Sequence, residues 1–312
     1  MSSATPVWAE NITKRFGKAH AVRGVSLSVP QGSIYGVLGP NGAGKTTTLR
    51  MLLGIIDPDS GTRSLLGYDV PRLASDRVGY LPEERGLYPN MKTVEAIAFM
   101  GALRGLGWAE GRTRGQALME SAGLGHATGK KIKHLSKGMA QLVQLLGSIV
   151  HKPELIVLDE PFSGLDPVNQ EHLEHVIRGE RDRGATILFS THVMGHAERL
   201  CDRLSIIAGG LVRFEGTVDE ARARLPMQAH YVPNMQSDAI GALLPEDATR
   251  VGDGWRFIVP EGGVERMLVA LIKAKHGVAG LTMQRPSLHD AFVEIVGKAN
   301  IGDVVAEQEQ AL

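Results

Sequence analysis

Nine residues, GPNGAGKTT from Gly39 to Thr47, constrain this chain more than any other stretch. Before them, GSIYGVLGP is an apolar run of buried-strand length. After them, KTTTLRMLLGII places Leu49, Leu52 and Leu53 on one helical face and is stopped by DPDSG. The glycines let the backbone curl so that successive N–H groups point inward, and the helix N-terminus adds its own unpaired donors. Strand, glycine loop and helix in that order make a cradle for phosphate. Gly39, Pro40, Asn41, Gly42, Ala43 and Gly44 form its wall. Lys45 brings a point charge to β- and γ-phosphates, Thr46 offers a hydroxyl to Mg²⁺, and Thr47 closes the run. The fold class that follows is α/β, a P-loop NTPase.

Further along, LIVLDEP is an apolar strand ending in two acids. At the carboxyl end of a strand neighbouring the cradle, Asp159 suits a magnesium ligand acting through water. Glu160, directly after it, suits the general base that takes a proton from attacking water. ILFSTH ends another buried strand with His192, which taken alone fits a structural or a catalytic role equally and at this sheet edge is placed to donate to a γ-phosphate. From Thr93 to about Val150 nearly every segment has helical spacing, so a helical lobe is inserted, over about 88–150, before the strand LIVLDE. Within it, LSKGM follows the basic run GKKIKH and opens an amphipathic helix. A serine, a lysine and a glycine at a helix mouth suit an anion.

Lys+Arg and Asp+Glu both number 34, so no global charge draws the 312-residue chain to nucleic acid or anionic lipid, and any anion site is local. The single cysteine, Cys201, excludes an intrachain disulfide framework and reads as a small buried apolar residue. No stretch of about 18 apolar residues runs without a charge, and the N-terminus has no apolar core of signal-peptide length, so neither a spanning helix nor export is expected. Past Leu225 the character changes. Residues 226–312 read as a small α+β domain: strand Ala229 to Val232, helix Ser237 to Leu244, a hairpin through VGDGWRFIV, helix Val264 to Lys275 and strand Gly280 to Gln284, a βαββαβ order. A last helix starts at Ser287 with Asp290 supporting its cap, and the tail AEQEQAL is expected to fray.

Together these segments resemble the ATP-binding-cassette (ABC) family of ATPases over roughly Val7 to Leu225. GPNGAGKTT matches the P-loop, LIVLDEP the Walker B strand, SGLD (Ser163 to Asp166) the D-loop, STH the switch histidine and LSKGM the signature, five motifs in the family's order. The resemblance implies an ATPase domain over 1–225 with an accessory domain after it. It also implies ATP and Mg²⁺ as ligands, with Thr46, Glu83 and Asp159 toward the metal, and Phe16 in KRFG as the aromatic that stacks on adenine. An aromatic on an early strand equally suits the core. The resemblance makes Ser136, Lys137 and Gly138 serve the nucleotide of a partner subunit, and puts Asp166 in the D-loop. Two departures stand out. Lys137 and Met139 replace glycine and glutamine of the common LSGGQ, with Lys137 directed either to phosphate or to solvent, and Glu83 stands where the Q-loop glutamine is expected.

The segments YLPEERGLYP, LSKGM and PSLHDAFVEIVG are similar to the branch of ABC exporters that includes bacterial sodium-efflux and drug-resistance ATPases. That resemblance implies a separate transmembrane permease, a second ATPase subunit in a homodimer, no nucleic acid, and a peripheral place on the cytoplasmic face of the cell membrane. A soluble ABC ATPase working on ribosomes or DNA is the alternative. Against it stand the single cassette, the lack of a heptad insert and the neutral charge. A P-loop kinase fits less well, because Glu160 favours water as nucleophile and a kinase needs no signature segment.

Overall fold

The computed structural model describes residues 5–84, 86–234, 238–260 and 262–297. Two compact units divide between Val218 and Asp219. In chain order the first contains β1 (Val7–Phe16), β2 (Ala19–Val29), β3 (Ile34–Leu38), α1 (Lys45–Leu52), β4 (Ser60–Leu65), β5 (Val78–Leu81), α2 (Thr93–Ala102), α3 (Trp108–Ser121), α4 (Lys137–Ile149), β6 (Leu155–Asp159), α5 (Pro167–Asp182), β7 (Thr186–Thr191), α6 (Met194–Leu200), β8 (Arg203–Ala208) and β9 (Leu211–Gly216).

The six-stranded sheet runs β5-β6-β7-β3-β8-β9, parallel except for β9. Every residue of β3, β6 and β7 is buried, as unbroken apolar runs require when both faces of a parallel sheet are covered. Gly209 and Gly210, both at positive φ, turn the chain into β9, the hairpin that AGGLVRFEG signals. One face packs against α4, α5 and the helical lobe. The other packs against α1 and a separate antiparallel sheet, β2-β1-β4. Parallel pairing brings the carboxyl ends of β3, β6 and β7 to one edge: Leu38 pairs with Thr191, and Asp159 with Ser190. Partly buried Cys201 packs on the core, and a Cβ built at Gly36 would meet its sulfur at 2.6 Å.

The second unit begins earlier than the composition change at Leu225 because α7 (Val218–Arg222) falls across the division. It holds β10 (Gln228–Tyr231), β11 (Thr249–Val251), β12 (Gly254–Ile258), α8 (Glu265–Lys273), β13 (Leu281–Gln284) and a closing helix over 288–297. The sheet order β11-β12-β10-β13 is that of a split βαββαβ unit. The first helix differs from expectation: Asp238–Leu243 is a 3₁₀ turn, and the proposed start at Ser237 lies outside the described residues. One buried anchor, Ile240, suffices to seat it on Tyr231 and Phe257. Ser287 and Asp290 exchange the expected capping bonds, Asp290 N to Ser287 Oγ at 3.1 Å and Ser287 N to Asp290 Oδ2 at 2.9 Å. The tail AEQEQAL also lies outside the described residues.

Candidate active site

The loop from Gly39 to Gly44 joins β3 to α1, and its glycines answer steric demands. A Cβ on Gly39 would stand 2.2 Å from the Ile207 carbonyl oxygen, and one on Gly44 2.3 Å from that of Ala21, where φ is +98°. The loop is therefore wedged between β2 and β8, which aims it at the sheet edge. Lys45, 5% exposed, turns back over the loop: Nζ donates to the carbonyls of Gly39 (2.9 Å) and Pro40 (3.2 Å) and lies 3.2 Å from Glu160 Oε1.

Asp159 is fully buried at the end of β6. Its Oδ1 accepts from Thr46 Oγ1 (3.0 Å) and Ser190 Oγ (2.6 Å), while Oδ2 is buried without a hydrogen-bond partner. A buried carboxylate oxygen left over beside a threonine hydroxyl fits a hard cation that takes one or two protein oxygens and completes its shell with water and phosphate. Glu160 has φ +47°, a left-handed conformation that a non-glycine residue holds only when its surroundings impose it. Its N–H donates to Ser190 Oγ at 3.0 Å, so one serine fixes both acids. His192 Nδ1 lies 3.0 Å from Glu160 Oε2, a hydrogen bond the Nδ1–H tautomer donates.

Lys45, Thr46, Glu160 and His192 line one groove of about 560 Å³, with Asn41 to Thr47 on its floor and Glu83 and Ser163 around it, while Asp159 and Ser190 lie beneath its lining. Phe16 lies outside that lining. It is 49% exposed at the end of β1, which rules out the core reading, and Lys14 Nζ stands 5.9 Å from its ring. Ser136 to Gly138 are also outside the groove. Ser136 caps α4, its hydroxyl accepting from Met139 N at 3.2 Å, and Lys137 is exposed. Gly138 is buried, and a Cβ there would meet Asn169 Nδ2 at 2.6 Å. Asn169 in turn binds Asp166, the exposed N-cap of α5, whose carboxyl is held below its usual range by the Asn169 backbone N–H. The groove around Lys45 and the serine-capped mouth of α4 are thus separate features of the chain.

Nothing in the local sequence marks Phe162 or His196, which border a second cavity beside Glu160. Ser190 stood in the STH motif, where a hydroxyl closing the apolar strand ILFS was the available signal.

A family model described as "ABC transporter" matches residues 22–163. An uncharacterized ABC transporter ATP-binding protein of Bacillus subtilis, YhaQ, is 36% identical over 292 residues, covering 92% of this chain and 97% of its own. The daunorubicin/doxorubicin resistance ATP-binding protein DrrA of Streptomyces peucetius is 32% identical over 300 residues, 92% of this chain and 91% of that one. A solved ATP-binding subunit of an ABC transporter superposes with a TM-score of 0.64 at 31% identity, over 70% of this chain and 93% of its own.

Proposed function

Because this chain belongs to the ABC transporter family of ATP-binding proteins, we propose that it is the Mg²⁺-dependent ATPase subunit of an exporter, acting as a dimer on a separate membrane permease. The separation of these two features carries this reading. The phosphate groove around Lys45 contains no residue of Ser136 to Gly138, so a second copy has to bring its α4 mouth to complete the nucleotide site. Phe16, exposed at the end of β1, is free to stack on adenine.

Thr46 and Asp159 would hold a magnesium ion, with Glu83 at the groove wall, and the ion would supply charge neutralisation on the phosphates. Glu160 accepts a proton as water adds to the γ-phosphorus and the bond to the bridging oxygen breaks, releasing ADP and phosphate. His192 orients the Glu160 carboxylate through its Nδ1–H, with its Nε2 edge facing the groove where the γ-phosphate would lie.

Closure reaches the permease through the Glu83 segment. Gln144 of α4 donates to the Glu84 carbonyl at 3.1 Å and accepts from Gly86 N at 3.4 Å, tying that segment to the helix opened by Ser136. Beside it lies an apolar groove of about 240 Å³ that includes Leu87, Phe99 and exposed Tyr88 and Leu103, a seat for an apolar segment of the permease. Among the described residues no helix is long and apolar enough to cross a membrane. The relatives named for transport and drug resistance support export over action on ribosomes or DNA.

Two measurements test this. Lys45→Ala and Ser136→Arg copies, each inactive alone, regain ATP turnover when mixed, because a mixed dimer contains one site intact on both sides. No recovery would overturn the shared site. Cell fractionation places the protein with membranes only when its permease is coexpressed, and sedimentation with ribosomes instead would favour the alternative.

A further inference from the structure

Behind Glu160 and His192, on the side away from the phosphate loop, lies a second cavity of about 400 Å³. Phe162, Ser163, His196 and Arg199 border it together with those two residues. The six residues between Glu160 and α5 make two turn bonds, Ser163 N to Glu160 O (3.1 Å) and Leu165 N to Phe162 O (3.2 Å), accept one bond from α5, Gln170 Nε2 to Leu165 O (3.0 Å), and include Gly164 at φ +71°. So short a turn does not by itself fix a left-handed Glu160. What fixes it from the cavity side is aromatic. Phe162, 5% exposed, meets Phe189 edge-on at 6.2 Å and lies flat on the His196 ring at 4.0 Å, with 8° between planes.

His196 is itself held. Its Nδ1 accepts from Arg199 Nη2 at 2.9 Å, and Arg199 is anchored on Glu174 Oε1 of α5 at 2.7 Å. With Arg199 as donor, Nδ1 is the unprotonated nitrogen of the Nε2–H tautomer, and the same Nδ1 stands 3.6 Å from Glu174 Oε1. Burial and, next, the Arg199 charge push its pKa down against the opposing pull of Glu174, which favours the uncharged ring. Removing the ring would join its volume to the cavity and leave Phe162 room to rotate, and with it the Pro161 to Ser163 turn that carries the base and one wall of the groove.

We propose that His196 is a positioning residue: stacked on Phe162, it locks the turn between Glu160 and Asp166 and so sets where the Glu160 carboxylate stands against the γ-phosphate. The lock acts on an alignment needed for the chemical step and leaves the phosphate loop untouched. Its signature is a fall in kcat without a change in KM, since a displacement of the order of 1 Å at a reacting group costs up to about 100-fold. This inference rests on the ATPase reading above.

The test is steady-state ATP hydrolysis by the full chain carrying His196→Ala, Phe162→Ala, both together, and His196→Phe. His196→Ala and Phe162→Ala each lower kcat by about tenfold or more with KM changed by less than about twofold. The double variant falls no further than the worse single, because the two rings act as one unit. His196→Phe, which keeps the stack and leaves Arg199 on Glu174, recovers at least half of the lost turnover. A fluorine label on the Phe162 ring reports the stack directly, and its resonance moves in His196→Ala and not in His196→Phe. Parental kcat in His196→Ala, additive losses in the double variant, or an unmoved fluorine resonance overturns the lock. A parent chain that does not hydrolyse ATP at all would sink the ATPase reading and the lock with it.

Discussion

Glu160→Gln is expected to bind ATP as the parent does, to lose ATP turnover by about 10²- to 10⁴-fold, and to accumulate as an ATP-bound dimer. Glutamine keeps the volume and most contacts of a side chain that is only 8% exposed, so the groove retains its shape. What goes is the ability to accept a proton: Oε2, now 3.0 Å from His192 Nδ1, and Oε1, 3.2 Å from Lys45 Nζ, give way to an amide. Losing a negative charge beside a triphosphate cannot weaken binding by repulsion, so affinity holds or rises. If the closed dimer parts because its nucleotide is cleaved, blocking cleavage preserves it. Phosphate release and size-exclusion chromatography with and without ATP check both arms, and hydrolysis at the parental rate would remove Glu160 from its assigned role.

Lys45→Ala fails one step earlier. A charged donor to phosphate contributes about 1.5–3 kcal/mol, so ATP affinity is expected to fall by about 10- to 100-fold, read by calorimetric titration. Tm falls as well. Lys45 and Glu160 are nearly buried together, with side chains 6% and 9% exposed, and removing one partner leaves the other charge uncompensated. The double variant Lys45→Ala with Glu160→Gln separates the two effects, since it regains Tm and does not regain affinity. Parental affinity in Lys45→Ala would exclude the phosphate loop as the nucleotide site.

Glu83 lines the groove, as its place in YLPEERG implies, while the residue that ties its segment to α4 is Gln144, which no motif marks. Phe16 was open between core and adenine partner, and only burial separates those readings. In the second unit the strands are legible, whereas apolar spacing over Ser237 to Leu244 predicts a full helix where Asp238–Leu243 is 3₁₀, because spacing does not count turns. Phe162 and His196 lie 34 positions apart and belong to no common period, so nothing in the chain's order brings their rings together.

The local chemistry was written in the sequence: a glycine run between an apolar strand and a helix, acids and a histidine at strand ends, a serine at a helix mouth. Each of these follows from backbone geometry over a few consecutive residues, which is the range that spacing encodes. The tertiary structure decided the rest. It determined that β3, β6 and β7 lie side by side, that one hydroxyl, Ser190, serves both acids, that Glu160 is held at positive φ, and that the serine-capped helix sits apart from the groove. Those facts depend on contacts between residues distant in the chain, and such contacts are set by how buried faces pack rather than by any run of letters.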